Sequence, residues 1–252
     1  MSKRSEIEKY RASAQERERT QDLLALLPKG RKSVLDIGAR DGHFSKLMCQ
    51  YFPDVTALDL IKPAFDIPGV RTVAGDATRL AFEDGAFDCV FCAEVLEHIP
   101  PVEVACKELL RVAKHEVIVG VPYKQDTRVG RTTCPHCRRS NPPYGHVNTF
   151  DEARLAALFP GTRVAATSLV GENREFTNPV SAFLMDCGRN PWGVYAQDEP
   201  CIFCGAKMTE PEGRTLVEKI CSSVAIRLNR LQEPLIRSQA IWIHMVFSKD
   251  PA

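Results

Sequence analysis

The most constraining feature of this chain is an alternation of short apolar runs, rich in β-branched residues, with segments of helical pattern. Five such runs fall in the first half, at residues 33–38, 55–60, 70–76, 87–95 and 115–123. Strands that alternate with helices favour a parallel sheet built from right-handed crossovers. We therefore expect an α/β fold whose core is a wound parallel sheet.

The helical segments have recognisable boundaries. A leading helix is expected within residues 1–30, which are charged and helix-prone until Pro28 and Gly30. The stretch "PVEVACKELLRVA" has apolar residues at helical spacing and supplies one crossover between strands. Thr149 and Glu152 have the spacing of a capping box, which predicts the start of a later helix.

The second half continues this pattern but with longer gaps. Residues 163–171 and 240–249 predict a sixth and a seventh strand. Residues 124–148 and 172–238 fall outside the pattern, so we expect one domain over residues 1–252 with two insertions. The second insertion includes an amphipathic helix, with Leu216, Val217, Ile220, Val224, Leu228 and Leu231 on or near one face.

Composition excludes several classes of protein. No run approaches the roughly 20 apolar residues needed to span a bilayer, and the N-terminus is charged where a signal peptide would be apolar. A cytoplasmic location is therefore expected. The 33 basic and 32 acidic residues leave a net charge of +1, which gives no overall field to attract nucleic acid.

A ligand-binding turn is expected after the first strand, in "VLDIGARDGHFS". Gly38 and Gly42 would let the backbone approach a ligand, and the next helix would offer unpaired N–H groups. Arg40 stands where the dinucleotide-binding pattern has its middle glycine, so this turn alone does not identify the ligand.

Acidic residues end three successive strands: Asp59, Asp76 and Glu94. In an open parallel sheet, ligands bind across the carboxyl ends of the strands near the point where the strand order reverses. Asp59 could accept hydrogen bonds from both hydroxyls of a ribose, and Asp76 could accept one from an exocyclic amine. Helix capping would explain any one of these acids, but it explains all three poorly.

These features resemble a class I S-adenosylmethionine-dependent methyltransferase, of the group whose fourth strand ends in Glu-Val-Leu-Glu-His. The resemblance covers roughly residues 20–171 and the last strand, and it implies a seven-stranded Rossmann-like sheet with an antiparallel last strand. It further implies sites for the methionine part (Asp36, Gly38, Ala39), the ribose and adenine (Asp59, Leu60), the adenine (Asp76, Ala77) and the sulfonium (Glu94).

The ten cysteines divide into two groups. Six are scattered among apolar neighbours and are expected to be small buried hydrophobic residues: Cys49, Cys89, Cys92, Cys106, Cys187 and Cys221. The others form two Cys-x-x-Cys pairs, Cys134 with Cys137 and Cys201 with Cys204, one in each insertion. Two such pairs are the ligand set of a tetrahedral structural Zn²⁺; the alternative is two independent pairs without metal.

The stretch from Cys134 to His146 contains two short signatures, Cys-Pro-His-Cys and Asn-Pro-Pro-Tyr. Cys-Pro-His-Cys is found in thiol oxidases, but the strand and helix of a thioredoxin-type fold are missing here. Asn-Pro-Pro-Tyr, at 141–144, is used by amino-methyltransferases at the end of the fourth strand, whereas here it follows the fifth and is expected to stiffen a loop. His136, inside the first cysteine pair, is expected to be exposed.

The first insertion also resembles that of methyltransferases with Thr-Cys-Pro-x-Cys, then Gly-His, then a Phe that opens the next helix, as in "TTCPHC" and "YGHVNTF". Such proteins often occur in pathways of cell-surface glycans or natural products. A hydroxyl acceptor needs a base, for which His146 is the first candidate, with Tyr144 or His98 orienting the acceptor. The alternative is that His146 only holds its loop by a hydrogen bond.

Three functions follow from these features. The first is O-methylation of a small molecule, a sugar or a secondary metabolite. The second is RNA methylation, with "CRRS" in the zinc insertion contacting the nucleic acid. The third is a non-catalytic cofactor-binding scaffold whose amphipathic helix, with Arg214, Lys219, Arg227 and Arg230, binds a partner or a membrane surface. A homodimer is possible in each case.

Overall fold

The computed structural model describes residue 9 and residues 11–250. Residues 1–8 and 10, part of the predicted leading helix, lie outside the described residues. The chain divides into two compact units. The first contains the chain up to Tyr123, the segment Phe150–Gly171 and the segment from Ala240 onward, and the second contains Lys124–Thr149 and Glu172–Gln239.

Among the described residues, the first unit contains seven strands, joined by helices of which four of α type position the sheet. The strands are β1 (Ser33–Ile37), β2 (Asp54–Asp59), β3 (Val70–Ala74), β4 (Phe87–Ala93), β5 (Ala113–Pro122), β8 (Arg163–Val170) and β9 (Trp242–Ser248). The helices are α1 (Ala14–Ala25), α2 (His43–Met48), α3 (Val102–Val112) and α4 (Glu152–Leu158). All seven predicted strands are present.

The strands form one sheet in the order β3-β2-β1-β4-β5-β9-β8. Strands β1 to β5 pair in parallel, whereas β9 lies antiparallel between β5 and β8. The expected α/β sheet with an antiparallel last strand is therefore confirmed. The strand order reverses between β1 and β4, so the carboxyl ends of these two strands form the crevice where open α/β sheets bind ligands.

Two apolar clusters cover the faces of this sheet, because the central strands are buried on both sides. Helix α3 turns Ala105, Cys106 and Leu109 toward one cluster, and α1 contributes Leu23 to the other. The predicted capping box of α4 is wrong. Asp151, not Thr149, is the N-cap and accepts a hydrogen bond from the Arg154 amide, because the helix begins two residues later than a Thr149 cap requires.

Among the described residues, the second unit contains a two-stranded ribbon and two longer helices of α type. These are β6 (Thr132–Thr133), β7 (Ser140–Asn141), α5 (Pro179–Cys187) and α6 (Leu216–Gln232). Helix α5 has Asn178 as its N-cap, and α6 begins with a capping box made by Thr215 and Glu218. No helix in the described part of the chain is long and apolar enough to cross a membrane.

The six scattered cysteines are not all buried. Cys89, Cys92 and Cys106 are buried as expected, and Cys49 and Cys221 are half-buried. Cys187 is exposed, which corrects the expectation for that residue. It ends α5, where the chain turns at Gly188, so its side chain remains outside the apolar clusters.

Candidate functional site

The turn after β1 brings its backbone close to its neighbours. The amides of Gly38 and Ala39 both donate to the Leu58 carbonyl of β2, at 2.8 and 3.1 Å. Gly38 has φ +75°, and a Cβ added there would lie 2.3 Å from Cγ2 of Val95, the residue after Glu94. A glycine is therefore required where the β1 and β4 turns meet, and the carboxyl edge of the sheet stays open beside it.

Asp36 lies below this turn and is buried. Its Oδ2 accepts a hydrogen bond of 2.5 Å from the Ser45 hydroxyl of α2. Burial raises the pKa of Asp36 to about 7, and the nearby charges of Asp59 and Asp41 act in the same direction. Asp36 is thus a buried acid whose hydrogen bond with Ser45 connects β1 to α2 below the turn.

Asp59 ends β2 at the same edge. Its two carboxylate oxygens accept hydrogen bonds from the Arg40 amide at 2.9 Å and from the Leu60 amide at 2.7 Å. A carboxylate offers about four lone-pair sites, so each oxygen can accept a further bond from a ligand hydroxyl. Leu60 follows with an exposed apolar side chain, which a ligand ring could contact.

Asp76, after β3, has a different arrangement from Asp59. Its Oδ1 accepts hydrogen bonds from both the amide and the hydroxyl of Thr78, each at 2.8 Å. These bonds, led by the backbone one, lower the pKa of Asp76, so the carboxylate stays ionised at the protein surface. Ala77 beside it is buried.

Glu94 ends the β4 turn with its backbone in the left-handed region, at φ +58°. The Arg19 guanidinium of α1 lies 3.6 Å from Glu94 Oε1. Burial raises the pKa of Glu94, and the positive charge of Arg19 partly offsets this effect. The first unit therefore holds Asp36, Gly38, Ala39, Asp59, Leu60, Asp76, Ala77 and Glu94 along the carboxyl edges of β1 to β4.

Sequence reasoning missed the buried Glu16 and Arg19 of α1. Arg19 pairs with Glu16 at 2.8 Å and lies over the rings of Phe44 and Trp242, at 5.7 and 5.4 Å from their centroids. An acid and a base three residues apart in a charged helix look like an ordinary solvent-facing pair. Only the fold shows that this pair is turned inward, toward Glu94.

Glu97 is a second feature that the sequence did not reveal. Its side chain is fully buried, and neither carboxylate oxygen has a hydrogen-bond partner among the described residues. Burial, followed by the negative charge of Glu94, raises its pKa well above the ordinary value. The Glu97 carboxyl is therefore harder to ionise in the folded protein than a solvent-exposed glutamate.

The two cysteine pairs meet within the second unit. Cys134 Sγ lies 3.6 Å from Cys204 Sγ, and Cys137 Sγ lies 3.6 Å from Cys201 Sγ. All four sulfur atoms lie within 4.8 Å of one another. A tetrahedral Zn²⁺ with bonds of about 2.3 Å places its sulfur ligands about 3.8 Å apart, so the cluster has the dimensions of a four-thiolate site.

Both pairs have the same backbone turn. In the first, the Cys134 amide donates to the Arg139 carbonyl, and the Arg138 amide donates to the Cys134 carbonyl. In the second, the Cys201 amide donates to Ala206, and Gly205 donates to Cys201. Two equivalent turns that bring four thiols together are typical of zinc knuckles.

Asn141 of the Asn-Pro-Pro-Tyr signature connects the two turns. Its side chain is buried, donates to the Arg139 carbonyl at 3.0 Å and accepts from the Ile202 amide at 2.9 Å. Arg139 also stacks over the Phe203 ring at 4.1 Å. The amide of Asn141 is thus used in holding the cysteine cluster, and His136 between the first two cysteines is exposed, as expected.

His146 and Tyr144 follow Asn141 in the second unit. The buried His146 has Nδ1 at 2.7 Å from Gln125 Oε1, and its ring centroid lies 5.6 Å from that of Tyr144. Burial raises the pKa of Tyr144, so its phenol is a hydrogen-bond donor at neutral pH. His98 belongs to the first unit, where it ends a single 3₁₀ turn, Leu96–His98.

An open cavity of about 430 Å³ also lies within the second unit. Arg128 on its wall pairs with Asp126 at 2.8 Å, and Arg174 and Arg237 add further positive charge. The remaining lining residues are Lys124, Gln125, Glu175, Phe176, Ile236 and Gln239. The cavity combines cationic groups with two apolar side chains.

Comparison with known proteins supports a methyltransferase domain. Residues 35–120 match a family described as "Methyltransferase domain". The chain is 37% identical over 100 residues to a 2-methyl-6-phytyl-1,4-hydroquinone methyltransferase of Synechocystis, a match that covers 36% of this chain and 31% of that protein. It is 33% identical over 93 residues to a ubiquinone biosynthesis O-methyltransferase of Chromobacterium violaceum, covering 32% of this chain and 40% of that protein.

Solved structures agree on the fold. A candidate methyltransferase from Bacillus halodurans superposes with a TM-score of 0.59 at 17% identity, over 92% of this chain and 99% of that one. An S-adenosylmethionine-dependent methyltransferase from Mesorhizobium loti superposes with a TM-score of 0.51 at 13% identity. That match covers 94% of this chain and 98% of that one. The sheet order and these similarities define the class I methyltransferase fold. The chain spans less than half the length of the two curated relatives described above.

Proposed function

We propose that this chain transfers a methyl group from S-adenosylmethionine to an oxygen atom of a small molecule. The observation that carries the proposal is the row of acids at the carboxyl edges of β1, β2 and β4, beside a turn that only glycine can make. This is the crevice at the reversal of strand order, where open α/β sheets bind nucleotide-like ligands.

The residues present fit the cofactor. Asp59 would accept hydrogen bonds from the ribose hydroxyls. Each of its oxygens accepts one hydrogen bond from a backbone amide and can accept another. Leu60 would contact the adenine, and Asp76 with Ala77 would hold the adenine edge. Asp36, Gly38 and Ala39 would surround the methionine part, with Glu94 nearest the sulfonium.

Bound S-adenosylmethionine would supply a methyl group on a positively charged sulfur. The chain's own task is then to align the acceptor oxygen and to take its proton. His146 suits the second task, because a carbonyl oxygen such as Gln125 Oε1 can only accept. With Nδ1 donating to this oxygen, Nε2 would be the ring nitrogen that takes the proton of the acceptor. Tyr144 and His98 would orient the acceptor.

For the acceptor we propose a sugar or a secondary metabolite. The name of the Chromobacterium relative points to O-methylation, and the names of both relatives point to quinone-related small molecules. The arginines of the cavity in the second unit favour an acceptor that carries an anionic group. The net charge of +1 argues against RNA, the alternative acceptor. A cytoplasmic location remains part of this proposal.

The cysteine cluster would hold a structural Zn²⁺. Four thiolates leave no open coordination position, so the metal would do no Lewis-acid chemistry. Its role would be to fix the second unit, because Asn141 joins both cysteine turns and stands only five residues before His146.

The test is methyl transfer from labelled S-adenosylmethionine to a panel of hydroxylated sugars and phenols, with RNA as a separate arm. His146→Asn should lower turnover by roughly a hundredfold or more, as expected for loss of a general base, and leave cofactor affinity unchanged. His136→Asn, in the same insertion but exposed, is the matched control. Labelling of RNA alone, or equal turnover in the two variants, would reject this assignment.

A further inference from the structure

Helix α6 turns its large apolar residues toward solvent. Leu216 and Leu231 are 74% and 76% exposed, and Val217, Ile220 and Val224 between them are also exposed. The following turn adds Leu235, at 81%. We call these six residues the outer apolar face of α6. A helix that covers a protein core has the opposite arrangement.

The inner side of α6 is small and polar. Ser222 and Ala225 are buried there, and Gly188 after α5 is so close that an added Cβ would lie 2.8 Å from Ser222 Cβ. Asn229 on the same helix accepts from Thr177 and Asn178 at 3.3 and 3.4 Å. The close approach of α6 to α5 is therefore made through small and polar residues, and the large apolar side chains of α6 remain on its other side.

Cationic side chains accompany the outer apolar face. Lys219, Arg227 and Arg230 are exposed and form no ion pair among the described residues. Arg214, by contrast, points inward and donates to the Gly188 carbonyl and the Ser222 hydroxyl, at 2.9 and 2.6 Å. Of the four cations that the sequence suggested for this helix, three therefore remain available to a partner.

Acidic groups are few on this helix. Glu218 is engaged in the capping box with Thr215, and Glu233 follows the last turn. An isologous dimer through α6 would bring the exposed cations of both copies into one interface that has few acidic groups to pair with them. This surface is therefore not complementary to itself. It is complementary to an apolar layer bordered by negative charge.

We propose that the outer face of α6 binds the surface of an anionic lipid bilayer. Its leucine, isoleucine and valine side chains would lie at the boundary between headgroups and acyl chains, and Lys219, Arg227 and Arg230 would contact lipid phosphates. The helix would lie in the plane of the interface. The second unit would then attach the protein reversibly to the membrane surface.

The test is flotation of the zinc-loaded full chain with phosphatidylcholine vesicles that contain or lack phosphatidylglycerol. Binding is expected only with phosphatidylglycerol present and should weaken as salt is raised. The variant Ile220→Gln/Leu231→Gln should bind roughly tenfold to a hundredfold more weakly, because two apolar side chains no longer enter the interface. Val104→Gln/Leu169→Gln removes two exposed apolar residues elsewhere and should bind normally.

The charges are tested by a second matched pair. Arg227→Gln/Arg230→Gln should weaken binding by roughly tenfold or more, whereas Lys114→Gln/Arg163→Gln, two exposed cations of the first unit, should not. Absence of vesicle binding would overturn the proposal. The proposal would also be overturned if the protein dimerised with concentration, did not bind vesicles, and lost dimerisation in Ile220→Gln/Leu231→Gln. The outer apolar face of α6 would then bind a second copy of the chain. Equal binding to neutral vesicles would contradict the role of the cations.

Discussion

Arg138 and Gly205 occupy equivalent positions in the two cysteine turns. Each directly follows the second cysteine of its pair, each donates its amide to the carbonyl of the first cysteine, and both have left-handed backbone, at φ 63° and 70°. A side chain costs about 1–2 kcal/mol in this conformation, whereas glycine adopts it without strain. The first turn therefore carries strain that the second does not.

Substitutions at these two positions should affect stability differently and leave the zinc content unchanged. Arg138→Gly should leave the free energy of unfolding unchanged or raise it by up to about 1 kcal/mol, the strain relieved being partly offset by the greater freedom of the unfolded chain. Gly205→Ala should lower it by about 1 kcal/mol from strain alone, because an added Cβ meets nothing within 4 Å. Both are measured by chemical denaturation. A large loss of zinc in either variant would show that the turns are not equivalent.

Asp36 should make stability depend on pH. Its pKa is raised from 3.8 to about 7, so the folded protein keeps this proton over a range where the unfolded chain releases it. The contribution of Asp36 to stability is complete below about pH 4 and is lost as the pH rises to 7, by about 1 kcal/mol per pH unit. Asp36→Asn lacks this dependence.

The measurement is the unfolding free energy of wild type minus that of Asp36→Asn, from denaturant titrations at several pH values. This difference should decrease between pH 4 and 7 and then become constant. A difference that does not vary over that range would mean that the carboxyl ionises normally in the folded state.

The role proposed for the metal is tested with Cys204→Ser. Purified wild type should contain about one zinc per chain, and the variant should lose most of it, because one of four thiolates is removed. If the cluster fixes the segment that carries His146, methyl transfer should fall sharply while S-adenosylmethionine affinity stays nearly constant. Cys187→Ser, at an exposed cysteine of the same unit, is the control.

Two other results would contradict this role of the metal. Normal turnover in zinc-free Cys204→Ser would make the metal peripheral to catalysis. Loss of cofactor affinity in a variant that remains folded, by circular dichroism, would mean that the cluster supports the sheet instead.

The sequence predicted the sheet well because periodicity and β-branched residues report directly on strands. Each of the seven strands lies within two residues of its expected bounds, and the antiparallel β9 was implied by the family resemblance. The meeting of the four cysteines was also predictable, since two Cys-x-x-Cys pairs are a common ligand set for one tetrahedral metal ion.

What periodicity cannot show is which side of a helix is covered. The pattern of α6 indicated an apolar face, but not that this face would be exposed while Ser222 and Ala225 pack inward. Periodicity also could not predict that Arg19 is buried, because its burial depends on the sheet beside it. Asn141 was predicted to be part of a stiff loop. Its hydrogen bond with the Ile202 amide joins residues sixty-one positions apart, and a local sequence pattern cannot predict such a bond.

Calorimetry can measure whether the carboxyl edge of β2 binds S-adenosylmethionine through Asp59. Asp59→Ala removes charge-assisted hydrogen bonds to two hydroxyls and should weaken binding by about 1.5–3 kcal/mol, roughly tenfold to a hundredfold. Asp54→Ala, at the exposed opposite end of the same strand, should bind as wild type does. Unchanged affinity in Asp59→Ala, or an equal loss in both variants, would mean that Asp59 does not bind the cofactor.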